Sequence, residues 1–236
     1  LIYSVKKVPQ FQEAFQHLKP DFTVMRQIIR IGVPSGFQYS LLYISSLFLQ
    51  AIVNGFGETA VGAYTATTQI EMLAVQIPNA IATAMLTYVG QNIGAGKSER
   101  IGKGLNVALL MCAASSLVMI AIIGIFGKYI MRIFVSSSDI ISMAATGMLI
   151  ESFFLIAYSG TRVTLYTLNG AGDSSFSVVN GIIEITARIL FGFTLTAVPF
   201  IGVWGIWLTT GFIWIVTSAT ALLRYKSGVW KKKGIV

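Results

Sequence analysis

Six long apolar stretches dominate this sequence and limit what it can fold into. Each is long enough to cross about 30 Å of hydrocarbon, which takes about 20 helical residues. Only 11% of the residues are charged, less than half of the roughly 25% that is usual in a soluble domain. The sequence therefore predicts an all-α integral membrane protein, and it excludes a cytosolic enzyme, a disordered chain and a disulfide scaffold. We place the spans at residues 31–54, 62–90, 105–127, 141–168, 177–198 and 204–223.

The basic residues indicate which side of the membrane is cytoplasmic. The formal net charge of +8 would suggest nucleic-acid binding in a soluble protein. Here most Lys and Arg residues lie between the spans, so we expect no nucleic-acid partner. Six spans put both ends of the chain on one side, which receives thirteen basic residues; the loops on the other side contain Lys128 and Arg132. Because loops rich in Lys and Arg stay inside, we expect a plasma-membrane protein with both ends in the cytoplasm.

Polar segments flank the six-helix region of residues 26–224. Within residues 1–25, Phe11, Phe15 and Leu18 recur at helical spacing among polar residues, which predicts a cytoplasmic linker with a short amphipathic helix. Residues 225–236 form a basic cytoplasmic tail. The chain starts at Leu1 without a signal-peptide pattern, so we interpret it as part of a longer protein.

Histidine and cysteine are too scarce for most site chemistry. His17 and Cys112 are the only residues of their types, and the spans contain no Asp. A zinc site needs more ligands than this, and an intramembrane lipid-modifying enzyme needs a nucleophile and a base within reach. We therefore expect no metal site, no cofactor and no enzymatic activity.

A polar stripe runs along the first span. Its members recur every three or four residues, which places them on one face of a helix. Such a face is unfavourable against lipid, so it must face protein or water. The stripe comprises Tyr39, Tyr43, Ser46, Gln50 and Asn54, with Gln38 beside it.

Five ionisable side chains lie inside the later spans, where each costs at least about 2.5 kcal/mol in hydrocarbon. Asn180, Glu184 and Arg188 are spaced by four residues, so they share a helix face on which an ion pair is favoured. We expect Arg162, three turns from the acid of its own span, to pair with Glu184 or Glu71. The charges either lock helices together or line a wet cavity in which one carboxylate carries a proton, a metal cation or a cationic substrate. The five are Glu71, Glu151, Arg162, Glu184 and Arg188.

Proline and glycine divide the spans further. Pro78 lies inside the second span and predicts a kink, which is either a hinge or a static bend. NIGAGK at residues 92–97 and NGAGD at 169–173 resemble each other, and their glycines are good helix stops. Their recurrence two spans apart suggests an internal repeat of helix pairs.

Several of these segments resemble one membrane-transporter family. The second span and its turn, with QNIGAGK at 91–97, resemble the second helix of the C-terminal lobe of the MATE (multidrug and toxic compound extrusion) exporters and its cytoplasmic turn. LNGAGDSSFSVVNGIIEITARILFGF at 168–193 is similar to the following turn and fifth helix of that lobe. With GVPSGFQ at 32–38, the resemblance covers essentially the whole chain.

The resemblance implies one six-helix lobe of a two-lobed, twelve-helix antiporter, whose N-terminal lobe is its partner. Such a protein exports organic cations or other amphiphiles from a central cavity in exchange for Na+ or H+, by alternating access within membrane lipid. The NorM-type branch has an acidic residue on the first helix of this lobe, where this chain has Gln38, Tyr39 and Gln50, so ion coupling here would depend on the N-terminal lobe.

A flippase for lipid-linked oligosaccharides, with a related two-lobed fold, is the alternative; its pyrophosphate substrate would favour a more cationic cavity. For the transporter we expect a substrate and ion pathway, with Pro78 as a helix hinge. The pathway residues are Gln38, Tyr39, Tyr43, Gln50, Glu71, Glu151, Arg162, Asn180, Glu184 and Arg188.

Overall fold

The computed structural model describes residues 21–232, which form eight α-helices and two short 3₁₀ turns and contain no strand. The all-α prediction is therefore confirmed for this part of the chain. The amphipathic helix expected around Phe15 lies outside the described residues, as do residues 233–236 of the tail. The helices are α1 (Phe22–Asn54), α2 (Glu58–Ala74), α3 (Gln76–Gly94), α4 (Glu99–Phe134), α5 (Ser138–Ser152), α6 (Leu155–Gly170), α7 (Ser175–Ala197) and α8 (Gly205–Lys226).

Four of these helices are long and apolar enough to cross a membrane, namely α1, α4, α7, and α8 with its preceding 3₁₀ turn. The other two predicted spans are each a pair of shorter helices: α2 and α3 meet at 42°, and α5 and α6 at 51°. Counting each bent pair as one crossing gives six. Several helices run past the expected span limits. Helix α1 begins at Phe22, inside the segment that the sequence assigned to the linker, and α4 extends from Glu99 to Phe134.

The helices pack around two apolar clusters. One lies among α1, α2, α4, α5 and α8, with Leu155 from α6. It contains Trp207, which is fully buried and donates its Nε1 hydrogen to Thr67 Oγ1 at 3.0 Å. The other lies among α3, α4, α6 and α8 and contains Cys112 and Trp230. Helix α7 packs along α1 on one side and along α8 on the other. This arrangement gathers the polar faces of α1, α2, α6, α7 and α8 on one side of the lobe.

The two glycine-rich turns have the same geometry. Gly96 and Gly172 take left-handed backbone angles, with φ of 70° and 85°. Beyond them the Lys97 amide donates to the Asn92 carbonyl at 2.8 Å, and the Asp173 amide donates to the Leu168 carbonyl at 2.9 Å. This is the six-to-one bond of a Schellman helix end. Each turn follows a bent helix pair, which agrees with the predicted repeat.

The bend between α2 and α3 lies at Val75, close to the predicted proline. Val75 still donates its amide hydrogen to the Glu71 carbonyl at 3.0 Å. Pro78, in the first turn of α3, has no hydrogen to give to the Ala74 carbonyl one turn earlier. The bend is present, whereas its use as a hinge stays a prediction.

The second bend was not predicted, because no proline or glycine marks it. It falls at Phe153 and Phe154, between α5 and α6. The Phe154 ring lies against Gly211 of α8, so closely that a Cβ at Gly211 would come within 2.3 Å of it. Packing against a distant helix accompanies this bend, and periodicity within the span gives no sign of it.

Candidate functional site

A cavity of about 560 Å³ lies between five helices, α1, α2, α6, α7 and α8. Its α1 side is open, with Tyr43 75% and Leu47 68% exposed. All but one of the ten predicted pathway residues lie on its wall: Gln38, Tyr39, Tyr43, Gln50, Glu71, Arg162, Asn180, Glu184 and Arg188. The remaining one, Glu151, lies behind the wall.

The polar stripe of α1 faces this cavity. Gln50 donates an Nε2 hydrogen to Asn54 Oδ1 at 3.0 Å, one turn along the helix. At the other end of the stripe the hydroxyl groups of Tyr39 and Tyr166 lie 2.7 Å apart, which links α1 to α6. Tyr39, Tyr43, Ser46 and Gln50 of the stripe therefore line the cavity, and the exposure of this face to water rather than to lipid stays a prediction.

The predicted ion pair on α7 is confirmed. Arg188 Nη2 donates to Glu184 Oε1 at 2.9 Å, and both side chains are largely buried, at 9% and 15% exposure. Arg188 Nε also donates to Ser45 Oγ at 2.6 Å. The two charges therefore neutralise each other, and the bond from Arg188 to Ser45 also joins α7 to α1. On the same face, nearer the start of α7, Asn180 donates to the Thr217 carbonyl and to Thr220 Oγ1, both at 3.1 Å.

The prediction that Arg162 pairs with an acid is wrong. Within residues 21–232 the ion pairs shorter than 4.0 Å are Glu184–Arg188 and Asp173–Arg224. Arg162 instead donates from Nε to Asn79 Oδ1 at 3.1 Å. Its guanidinium lies over the rings of Tyr158 and Tyr166, 5.8 and 5.5 Å from their centroids. Arg162 therefore contacts the side-chain amide of Asn79 on α3 and two tyrosine rings on its own helix, α6. These neutral groups take the place of the expected carboxylate.

Glu151 lies in the last turn of α5, just before the second bend, and is only 3% exposed. Its Oε1 has no hydrogen-bond partner among the described residues. Glu71 and Arg188 are the charged groups that act on it electrostatically. Glu71 occupies a similar place one turn before the first bend. The two carboxylates thus lie next to the two bends. The sequence did not predict this arrangement, because it gives no sign of the second bend.

One tryptophan and three threonines of the wall were missed in the sequence. Trp214 packs edge-on against Tyr158, with centroids 5.1 Å apart, and Thr161 and Thr217 hydroxyl groups lie 3.1 Å apart between α6 and α8. The spacing of Thr210, Trp214 and Thr217 in α8 places them on one face and was the available signal. Thr and Trp are common in membrane helices, however, so this spacing alone does not distinguish a cavity wall from a helix interface.

Comparison with known proteins gives relatives over nearly the whole chain. It is 24% identical over 231 residues to the probable multidrug resistance protein YpnP of Bacillus subtilis, covering 97% of this chain and 49% of that protein. The probable multidrug resistance protein NorM of Idiomarina loihiensis is 25% identical, with 95% of this chain and 49% of that protein covered. The chain thus spans about half the length of the curated relatives it matches.

Solved structures share the fold. An outward-facing multidrug resistance MATE family transporter of the MOP superfamily superposes with a TM-score of 0.84 at 21% identity, covering 92% of this chain and 49% of that one. A crystal structure of a MATE protein in its bent conformation gives 0.85 at 19% identity, covering 98% and 52%. The MatE family model matches residues 34–194, more than half of the sequence. The chain therefore belongs to the MATE family of membrane transporters.

Proposed function

We propose that this chain is the C-terminal six-helix lobe of a multidrug efflux antiporter that exports organic cations or other amphiphiles in exchange for Na+ or H+. The observation that carries the proposal is the open cavity of about 560 Å³, which joins a polar stripe to buried charges. Its size suits a drug-sized molecule, since ligand pockets are usually about 300–1,000 Å³. Family membership and a length of about half that of the relatives support a one-lobe interpretation.

The cavity wall offers both apolar contact and negative charge to such a substrate. Leu47 and Met72 are exposed, at 68% and 61%, and Trp214 also lies on the wall. Glu71 and Glu184 face the same space, and only Glu184 forms an ion pair with Arg188. An amphiphilic cation would place its apolar body on the first set of residues and its charge near Glu71.

Glu151 and Glu71 are our candidates for the residues that bind the coupling ion. A buried carboxylate oxygen without a partner is costly, and Glu151 Oε1 is such an atom. A proton or a Na+ ion held between Glu151 and Glu71 would offset that cost. Because both carboxylates lie beside helix bends, loading and release of the ion would act on the packing of α2 against α5. Coupling in this lobe would then not need an acid on α1.

Alternating access requires a second lobe on the open side of the cavity. The exposed face of α1 carries large apolar side chains, including Phe37 at 55% and Leu47 at 68% exposure, and a lobe that rocks against it would cover them. We place the transporter in the plasma membrane with both ends of this chain in the cytoplasm. The exchange then moves substrate outward and the cation inward.

The first test is dye efflux in cells that express the full-length transporter. We expect Glu71→Gln and Glu184→Gln each to slow efflux of ethidium at least about tenfold, because each removes a charge from the wall that holds the cation. Glu58→Gln is the matched control, since Glu58 is exposed at the start of α2. Normal efflux in both wall variants at normal expression would remove these carboxylates from the mechanism.

The second test separates the coupling ion from the substrate. Purified transporter in proteoliposomes is driven by a Na+ gradient and, separately, by a pH gradient. Glu151→Gln should abolish transport driven by the effective gradient while leaving equilibrium dye binding within about twofold, because Glu151 lies behind the wall and does not contact the substrate. Gradient-driven transport at the wild-type rate in this variant would exclude Glu151 as the ion carrier.

The charges on the cavity wall bear on the flippase alternative. With Glu151 behind it, the cavity wall carries two carboxylates, Glu71 and Glu184, and two guanidinium groups, Arg162 and Arg188. The wall is therefore balanced rather than acidic. Efflux of ethidium by the wild-type protein distinguishes the two functions, because a flippase for lipid-linked sugars would leave dye accumulation unchanged.

A further inference from the structure

Of the two guanidinium groups on the cavity wall, Arg162 is the one that forms no ion pair within the described residues. Its partners within the described residues are neutral: Asn79 Oδ1 at 3.1 Å, the rings of Tyr158 and Tyr166, and the Tyr39 hydroxyl. Arg188, by contrast, has Glu184 at 2.9 Å. An Arg side chain inside the membrane is expensive to keep, and contact with two aromatic rings offsets only part of that cost. A cavity-wall guanidinium without a direct ion-pair partner therefore suggests a ligand.

The surroundings of Arg162 fix the guanidinium for binding. The two rings and the bond from Nε to Asn79 hold its plane, and Asn79 is itself held by the Tyr158 hydroxyl, which donates to Oδ1 at 2.9 Å. The Arg162 guanidinium forms no ion pair within residues 21–232, and its planar fork matches the two oxygens of a carboxylate or phosphate. The hydroxyl pair of Tyr39 and Tyr166, 2.7 Å apart, has one hydrogen left to donate after its mutual bond.

Glu71 and Arg162, the two wall charges without an ion pair, lie at different levels of the cavity. Glu71 is eight residues before Asn79 along the bent pair α2 and α3, which is about 12 Å of helix. Arg162, in the middle of α6, lies at the level of Asn79. A ligand that spans this distance would meet acid at one level and guanidinium at the other.

We infer that Arg162 is an oxyanion subsite, and that this cavity favours amphiphiles that carry a carboxylate or phosphate over otherwise identical neutral or purely cationic ones. The oxyanion lies on the guanidinium and the tyrosine hydroxyl pair, while the apolar body lies along Leu47, Met72 and Trp214. This inference rests on the proposed function, because it names the substrate chemistry of the same cavity.

Binding to the purified full-length transporter tests the subsite without requiring transport. Rhodamine 110, a free carboxylic acid, is compared with rhodamine 123, its methyl ester, by fluorescence anisotropy. In a second arm, 1-naphthyl phosphate and 1-naphthol compete with the bound ester dye. We expect the oxyanionic member of at least one pair to bind on the order of tenfold more tightly. In Arg162→Gln we expect this preference to disappear, so that the two members of the pair bind with similar affinity.

Two variants separate an anion subsite from a helix crosslink. Asn79→Ala removes the amide anchor and keeps the guanidinium, so it should retain most of the preference for the oxyanion. Arg162→Lys keeps the charge without the fork and should retain part of it, and it serves in place of Arg162→Gln if that variant does not fold. Equal weakening of both members of a pair in Arg162→Gln and Asn79→Ala would show a structural role and overturn the inference.

Failure of the inference and failure of the proposed function give different results. No preference for either oxyanion in the wild type overturns the subsite even when ethidium efflux is normal. A preference that Arg162→Gln abolishes supports the subsite even when the protein exports no dye.

Discussion

At the residue scale, two buried carboxylates of the same chemical type have different surroundings. Glu184 accepts from Arg188 at 2.9 Å, and Arg188 is also held by Ser45. Glu151 is 3% exposed and its Oε1 has no partner in residues 21–232. Removing one member of a buried ion pair leaves the other charge uncompensated, which is costly. Removing an orphaned carboxylate leaves no such charge behind.

These surroundings predict different changes in the free energy of unfolding for two matched variants. Glu184→Leu should lower the free energy of unfolding by about 3–5 kcal/mol, because Arg188 stays buried without its partner. Glu151→Leu should be neutral or stabilising by about 1 kcal/mol, since it replaces an unsatisfied oxygen by apolar atoms. Unfolding of the purified protein in mixed detergent measures both. Equal losses in the two variants would contradict the difference in pairing.

At this scale, residue spacing in the sequence predicted the contact within one helix, but it did not predict the contact between two helices. The Glu184–Arg188 pair follows from four residues of separation on α7 and is present. The partner of Arg162 lies 83 residues away, at Asn79. No local pattern indicates which of several polar residues on a neighbouring helix a side chain will reach. An acid was the reasonable expectation from charge alone, and helix packing placed an amide there instead.

At the element scale, glycines in α5 and α8 accept large aromatic side chains from their neighbours. A Cβ at Gly147 would lie 2.2 Å from the buried Trp207 ring, and one at Gly211 would lie 2.3 Å from Phe154. Trp207 cannot turn away without losing its bond to Thr67 at 3.0 Å. These close approaches draw α5 and α8 together and accompany the bend at the end of α5.

Gly147→Ala should therefore destabilise the lobe. We expect a loss of about 1–3 kcal/mol from overpacking against Trp207. Gly36→Ala on α1 is the control, because nothing lies within 4 Å of its added Cβ, and alanine favours a helix by up to about 1 kcal/mol over glycine. Thermal unfolding in detergent compares the two. A midpoint for Gly147→Ala at or above that of Gly36→Ala would show that Trp207 is free to move.

The two bends differ in how far the sequence reveals them. Pro78 identifies the first within one helical turn, because proline cannot donate to the carbonyl four residues earlier. The second, at Phe153 and Phe154, has no such residue, and the apolar run of residues 141–168 looks like one continuous helix. Local sequence patterns do not predict a bend that depends on packing against another helix.

Pro78→Ala tests whether proline sets the first bend. Spin labels at positions 58 and 91, both exposed, report the length of the α2 and α3 pair in a Cys112→Ala background. Straightening the 42° bend should lengthen that distance by about 3 Å, given a helical rise of 1.5 Å per residue. We also expect slower dye efflux, since a straight helix would shift Glu71 relative to the rest of the wall. An unchanged distance would mean that neighbouring helices hold the bend.

At the scale of the whole molecule, the cavity is a joint product of five helices. Its residues fall between Gln38 and Thr217, and the sequence grouped most of them only by their polarity and by the family resemblance. Periodicity gives the polar face of each helix, but it does not give which faces meet. That depends on the packing of α7 between α1 and α8 and of α6 against α3. The position of Glu151 behind the wall is one consequence.

The orientation of the lobe in the membrane is the remaining prediction. Thirteen basic residues on one side against Lys128 and Arg132 on the other place the turn after α3 in the cytoplasm and the connection between α4 and α5 outside. Single cysteines at Ser98 and Ser137, both exposed, mark these two loops in the background without Cys112, which is buried. In intact cells a membrane-impermeant maleimide should label position 137 and leave position 98 unlabelled until the cells are permeabilised. The reverse pattern would place the ends of this chain outside, and the directions of substrate and cation through the cavity would then also be reversed.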